Sequence, residues 1–91
     1  MGDGQAGQHW RALFENWPGS VPRSGILVVG GENIPFKEFM IGDGVLLIER
    51  ERPDPSGARK LMIGFDIIQQ VKTTDTLELV RYQAFGFAPA S

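Results

Sequence analysis

Ninety-one residues, 42% of them apolar and 22% charged, suffice for one compact core and not for two. A chain of this size buries about 60–65% of the surface that its unfolded form exposes. Nine Lys and Arg against eleven Asp and Glu leave a net charge of −2, the balance of a globular domain rather than of a disordered tail or a polycation. The chain has no cysteine, which excludes disulfides and thiolate metal sites. No stretch has the length of apolar sequence that crosses a bilayer, and MGDGQAGQHW has neither a basic leader nor an apolar signal region. The expectation is a soluble, cytoplasmic protein with no membrane partner.

Residues 1–7 hold three glycines and read as a flexible leader, ahead of a single domain over residues 8–91. From Gln8 to Trp17 the apolar residues Trp10, Leu13, Phe14 and Trp17 recur at i, i+3, i+4 and i+7, the spacing of one helix face. Pro18-Gly19 ends that helix. A helix this short is held by packing. Its Trp–Leu–Phe–Trp face serves either as a lid over the domain's own sheet or as a docking face for another protein.

The pattern beyond Pro18–Gly25 is β. Gly25–Val29 is a β-branched apolar run closed by Gly30-Gly31-Glu32-Asn33, a good reversal. Ile34–Ile41 reads as a second strand, with Pro35 near its start where a free edge tolerates proline. After Gly42-Asp43-Gly44, Val45–Arg52 reads as a third strand. Its first half is apolar on both faces and its second half, Glu49-Arg50-Glu51-Arg52, runs into water. Arg52–Gly57 is loop. Ala58–Ile63 is a fourth strand, Gly64-Phe65-Asp66 a turn, and Ile67–Lys72 a fifth strand. In residues 74–87 two patterns compete. Asp75 followed by Glu78 resembles a helix capping box, while Leu77/Leu79 and Val80/Tyr82 alternate as a strand does. The apolar tail with Phe85 and Phe87 is expected to pack on something. The fold class is therefore mainly β: an N-terminal α-helix and a small five-stranded antiparallel barrel, with the C-terminal segment left between helix and strand.

This order of elements resembles the Sm-like fold, a small SH3-like barrel, from Trp10 to Lys72. Most of the likeness lies in Leu61-Met62-Ile63-Gly64-Phe65-Asp66-Ile67-Ile68-Gln69-Gln70-Val71, which is similar to the family's second motif: an apolar triplet, a two-residue turn, Asp, Ile and a closing aliphatic. Two departures stand out. Gly64-Phe65 replaces the Arg-Gly pair whose guanidinium meets RNA in that family. Met40-Ile41-Gly42-Asp43-Gly44 keeps a Met and an Asp of the other RNA loop but has no Asn in register. The resemblance implies rings in which the fourth strand of one subunit pairs with the fifth of the next. Leu61, Met62, Ile63, Ile67, Ile68 and Val71 would then line the contact between subunits, unless all six fill the core of one monomer. It also implies single-stranded RNA as a partner, with Met40 and Asp43 in the matching loop; the basic stretch adds Arg59 and Lys60 as candidate contacts, and Phe65 at the turn either stacks on a base or is an ordinary core or interface residue.

Catalytic chemistry finds little support. His9 is the only histidine and adjoins the leader, and Ser20, Ser24, Ser56 and Ser91 have no base near them in sequence. Carboxylate pairs such as Glu32 with Glu38, or Asp43 with Asp66, are what eleven acidic residues produce by chance. The glycine turns lead into strands and are not phosphate loops. The densest basic stretch, Glu49–Lys60, alternates Glu and Arg and nets only +1, as a solvated hairpin does. The sequence therefore predicts no enzyme, no metal and no cofactor. It predicts a small β-barrel that assembles with copies of itself through strand edges, or alternatively a weak RNA binder.

Overall fold

The helix comes first. The computed structural model describes residues 3–90, with side-chain environments from residue 7 onward, and its only α-helix, α1, spans Asp3–Glu15. It begins five residues before Gln8, taking in residues that the sequence places in the leader; Met1 and Gly2 lie outside the described residues. Gly7 lets α1 approach the chain at Asp66, because a Cβ there would sit 3.3 Å from the Asp66 backbone nitrogen. Trp17 falls just past the helix end, and its indole N–H donates to the carbonyls of Val21 (3.2 Å) and Pro22 (3.1 Å), fixing the turn that follows. The apolar face is occupied by the protein's own core. Phe14 and Trp17 are buried, and Trp10 and Leu13 are half-buried against them.

Six strands follow: β1 (Gly25–Val29), β2 (Glu32–Phe36), β3 (Glu38–Ile41), β4 (Val45–Glu49), β5 (Lys60–Gly64) and β6 (Gln70–Lys72). They form two antiparallel three-stranded sheets, ordered β2-β1-β6 and β3-β4-β5. The β1–β2 turn is Gly30-Gly31, both at positive φ (58° and 79°), the two-residue hairpin geometry that glycine adopts without strain. Gly25 is needed for a different reason. A Cβ there would lie 2.5 Å from the Lys72 carbonyl oxygen and 3.3 Å from the Phe36 ring.

The sequence predicts one strand over Ile34–Ile41; the structure breaks it at Lys37. Ile34 and Phe36 point inward on the even phase, Phe39 points inward on the odd phase, and Lys37 absorbs the slip. The Lys37 N–H still donates to the Glu49 carbonyl (2.8 Å), so the ribbon passes from one sheet to the other while bonded at the corner. Both phenylalanines thereby reach Phe14, whose ring lies 4.9 Å from Phe39, 6.5 Å from Phe36 and 6.1 Å from Phe65, centroid to centroid. Leu27, Leu46, Ile48, Ile63 and Ile68 complete the core between the sheets.

Other boundaries move as well. The third strand ends at Glu49 rather than Arg52, where the charged residues meet water. Ala58 and Arg59 belong to the loop, and β5 starts at Lys60. The expected fifth strand from Ile67 shrinks to Gln70–Lys72, because Phe65–Ile67 forms a turn of 3-10 helix instead. In the C-terminal segment the helical pattern prevails in its tighter form, a 3-10 helix over Leu79–Phe85 that stops at Gly86 (φ 111°). Asp75 does not cap it. Its carboxylate accepts the Leu77 N–H (3.0 Å) and the Tyr82 hydroxyl, and Phe85 packs edge-on against Trp17 at 5.0 Å. None of the described helices is long and apolar enough to cross a membrane.

Phe14 is 1% exposed and sits among four other aromatic rings. Replacing it with alanine removes its transfer energy and leaves a cavity, a combined loss of about 3–5 kcal/mol. Urea unfolding of Phe14→Ala is expected to show a midpoint near zero denaturant, whereas a loss below about 1 kcal/mol would show that α1 is dispensable to the core.

Candidate assembly surface

Strand edges are the first feature of the surface. β5 and β6 are each the outer strand of a different sheet, and among the described residues neither has a strand partner on its free side. Only Phe65–Gln69 separates them in the chain. The Phe65 N–H bonds to Gly44 O (3.2 Å) and the Gln69 N–H to Val28 O (2.9 Å), so the connection is anchored to both sheets. β2, also an outer strand, carries Pro35, which blunts it as a template for further pairing. Neither β5 nor β6 contains proline.

The six residues expected at a subunit contact divide by environment. Ile63 and Ile68 are buried in the core, and Leu61 and Val71 are half-buried against it. Their side chains therefore serve the monomer. Met62, at 77% exposure, and Ile67, at 53%, face outward on β5 and on the 3-10 turn. The register then aligns Met62 with Leu47 and Leu47 with Met40, which is 67% exposed, so three apolar side chains cross the outer face of β3-β4-β5 in one row. Leu47 was visible in the sequence only as part of a run apolar on both faces. A second apolar surface lies in the C-terminal segment: Phe85 packs on the core as the apolar tail suggests, but Leu79, Val80 and Phe87 are exposed and line an open cavity of ≈ 610 Å³ with Tyr82 and Pro89.

The candidate RNA contacts do not converge. Phe65 is 2% exposed with its ring against Phe14, so it presents no face for stacking. Arg59 and Lys60 lie at the Glu49 end of the β4–β5 ladder, and Gly64 at the Val45 end. Four residues of strand part those ends, about 13 Å. Asp43, in the β3–β4 turn, is fully exposed and lies 3.5 Å from Arg11 of α1. Met40 stands between the two ends, in the middle row of the face.

Charges on this side are tied to the fold. Arg23 binds the Glu38 carboxylate, donates to the Phe39 carbonyl (2.7 Å) and lies over the Phe39 ring at 3.9 Å. The Arg23 hydrogen bond, followed by that of the Phe39 amide, holds the Glu38 carboxyl below its ordinary range. Lys60 approaches Glu49 at 3.9 Å. Asp54 is spent on its own loop, accepting from Ser56 and from the Ala58 N–H. Among the described residues no three His, Cys, Asp or Glu side chains are grouped to hold a metal ion. No family model, curated protein or solved structure matches the chain.

The C-terminal segment is latched by polar groups. The Tyr82 hydroxyl joins Thr73 Oγ1 (2.7 Å) and the Asp75 carboxylate. The Tyr82 bond is the main reason that the Asp75 carboxyl lies below its ordinary range, while burial, then the Asp75 contact, pushes the Tyr82 phenol up. A depressed carboxylate contributes stability above its unfolded pKa and loses it as pH falls through the lowered folded value. NMR titration of Asp75 is therefore expected to show a midpoint below the ordinary aspartate value, returning upward in Tyr82→Phe. An unchanged midpoint in that variant would show that the latch is absent in solution.

Proposed function

We propose that this chain is a non-enzymatic assembly module, an incompletely closed small β-barrel of the Sm-like kind that joins copies of itself by pairing β5 of one with β6 of the next. The single observation behind this reading is the pair of open edges, on the outer strands of two sheets that the Phe65–Ile67 turn carries around one core. Each edge carries a row of amides and carbonyls without a ladder partner, and a head-to-tail contact satisfies both at once. Repeated about a closed axis it gives a ring. The contact is made mainly by backbone, which agrees with Ile63 and Ile68 being committed to the core. Ile67 supplies apolar cover beside the paired strands. The scattered positions of Arg59, Lys60 and Asp43, together with the buried Phe65, weigh against single-stranded RNA as the main partner.

Ile67 is the sharpest probe, because its exposure lets a lysine be introduced without opening the core. Ile67→Lys is expected to keep the circular dichroism of the parent and to weaken self-association at least about tenfold, read by light scattering after size exclusion. A parent that stays monomeric at high concentration, or a variant with unchanged mass, contradicts the edge contact. For RNA, uridine- and adenine-rich oligomers at low salt are expected not to bind. Binding there that weakens steeply with added salt would favour the RNA reading instead.

A further inference from the structure

Edge pairing leaves the outer face of β3-β4-β5 unused. Its side chains fall in three rows across the strands: Glu38, Glu49 and Lys60 at one end, Met40, Leu47 and Met62 in the middle, and Val45 with Gly64 at the other end. The middle row is strongly exposed at both flanks, and thioethers adapt well to an opposing surface. We propose that this face packs against the same face of a second copy, about a two-fold axis running along β4.

The charges select both the occupant and the axis. Sheets stacked face to face keep their strands within about 30° of parallel, which leaves two ways to lay a three-stranded face on its own copy. An axis across the strands sets the charged row over Val45 and Gly64, where Glu38, Glu49 and Lys60 lose water and gain no counter-charge from the other copy. An axis along β4 exchanges the two flanking strands. Glu38 on β3 then lies over Lys60 on β5 of the other copy, and Met40 lies over Met62. The acid stands on one flank of β4 and the base on the other, which is the arrangement a self-complementary face requires. Glu49 meets its own copy at the axis, with Lys60 3.9 Å away, and Arg23 on Glu38 brings the four charges of each copy to neutrality. The exposed ion pairs fix register and contribute little affinity. The methionine row contributes the affinity.

The register gives a test independent of the edge contact, made in both the parent and the Ile67→Lys background by sedimentation velocity. Met40→Lys alone and Met62→Glu alone each place a charge against an apolar side chain of the other copy. Each is expected to weaken the dimer about tenfold or more. The double variant Met40→Lys/Met62→Glu places opposite charges across the interface and is expected to return to within about threefold of its background at low salt. That recovery is lost at about 0.5 M salt, where exposed charges are screened. One strand, β4, lies between positions 40 and 62 within one chain and holds their backbones about 9.5 Å apart, so the two introduced side chains are not direct cross-strand neighbours. Unaffected single variants, a double variant as dissociated as the singles, or an Ile67→Lys protein that is monomeric at every concentration overturns the proposal. Methyl NMR of the unsubstituted protein removes any dependence on variant folding. The Met40 and Met62 methyl resonances are expected to shift together on dilution, and resonances that stay fixed overturn it equally.

Discussion

One residue of slip, at Lys37, sets the geometry of the whole molecule. Without it the β2–β3 ribbon would keep its phase and turn Phe39 to solvent while Phe36 stayed inside. With it, both rings face the same interior, the ribbon changes sheets, and the Lys37 amide remains bonded to Glu49 at the corner. The two sheets then face each other across a gap that Phe14 and Phe65 fill. In so small a domain, an aromatic wedge supplied by the helix replaces the apolar area that the strands alone cannot provide.

The same bend decides where the ladder stops. A ribbon shared by both sheets joins β2 to β3, and the opposite margin, between β5 and β6, is bridged only by a 3-10 turn. The short turn carries Phe65 and Ile68 into the core and leaves Ile67 outside. The open margin and the closed core are thus two consequences of one chain path. Burying Phe65 where it anchors α1 also withdraws it from solvent and leaves no ring face open to a nucleobase.

Much of this was legible in the residues. The i, i+3, i+4, i+7 spacing of Trp10, Leu13, Phe14 and Trp17 marks the helix face, and Gly30-Gly31 marks the hairpin. The alternation of Leu46 and Ile48 with Leu47 was hidden because Val45–Ile48 is apolar on both faces, and such a run does not say which side is wet. The break at Lys37 carries no glycine or proline signal, since its cause is the long-range demand for two phenylalanines on one side. Strand onset at Gln70 rather than Ile67 follows from the packing of Phe65 on Phe14, again a tertiary effect on a short segment. Asp75 had the right spacing for a capping box, but the Tyr82 hydroxyl, seven residues on, claims its carboxylate. The strand pattern marks β5 and the neighbourhood of β6, while the burial of Ile63 and Ile68 is set by tertiary packing, since aliphatic runs beside a turn do not show which side faces the core.

In the proposed assembly the backbone edges of β5 and β6 find each other across a subunit boundary. Amide hydrogen exchange measured over a wide range of protein concentration reads those backbone groups directly. With edge pairing, outward-facing amides within Lys60–Gly64 and Gln70–Lys72 are expected to gain protection together as concentration rises, while those of β1, already paired on both sides, stay constant. Exchange at β5 and β6 that is the same in dilute and concentrated protein would contradict it.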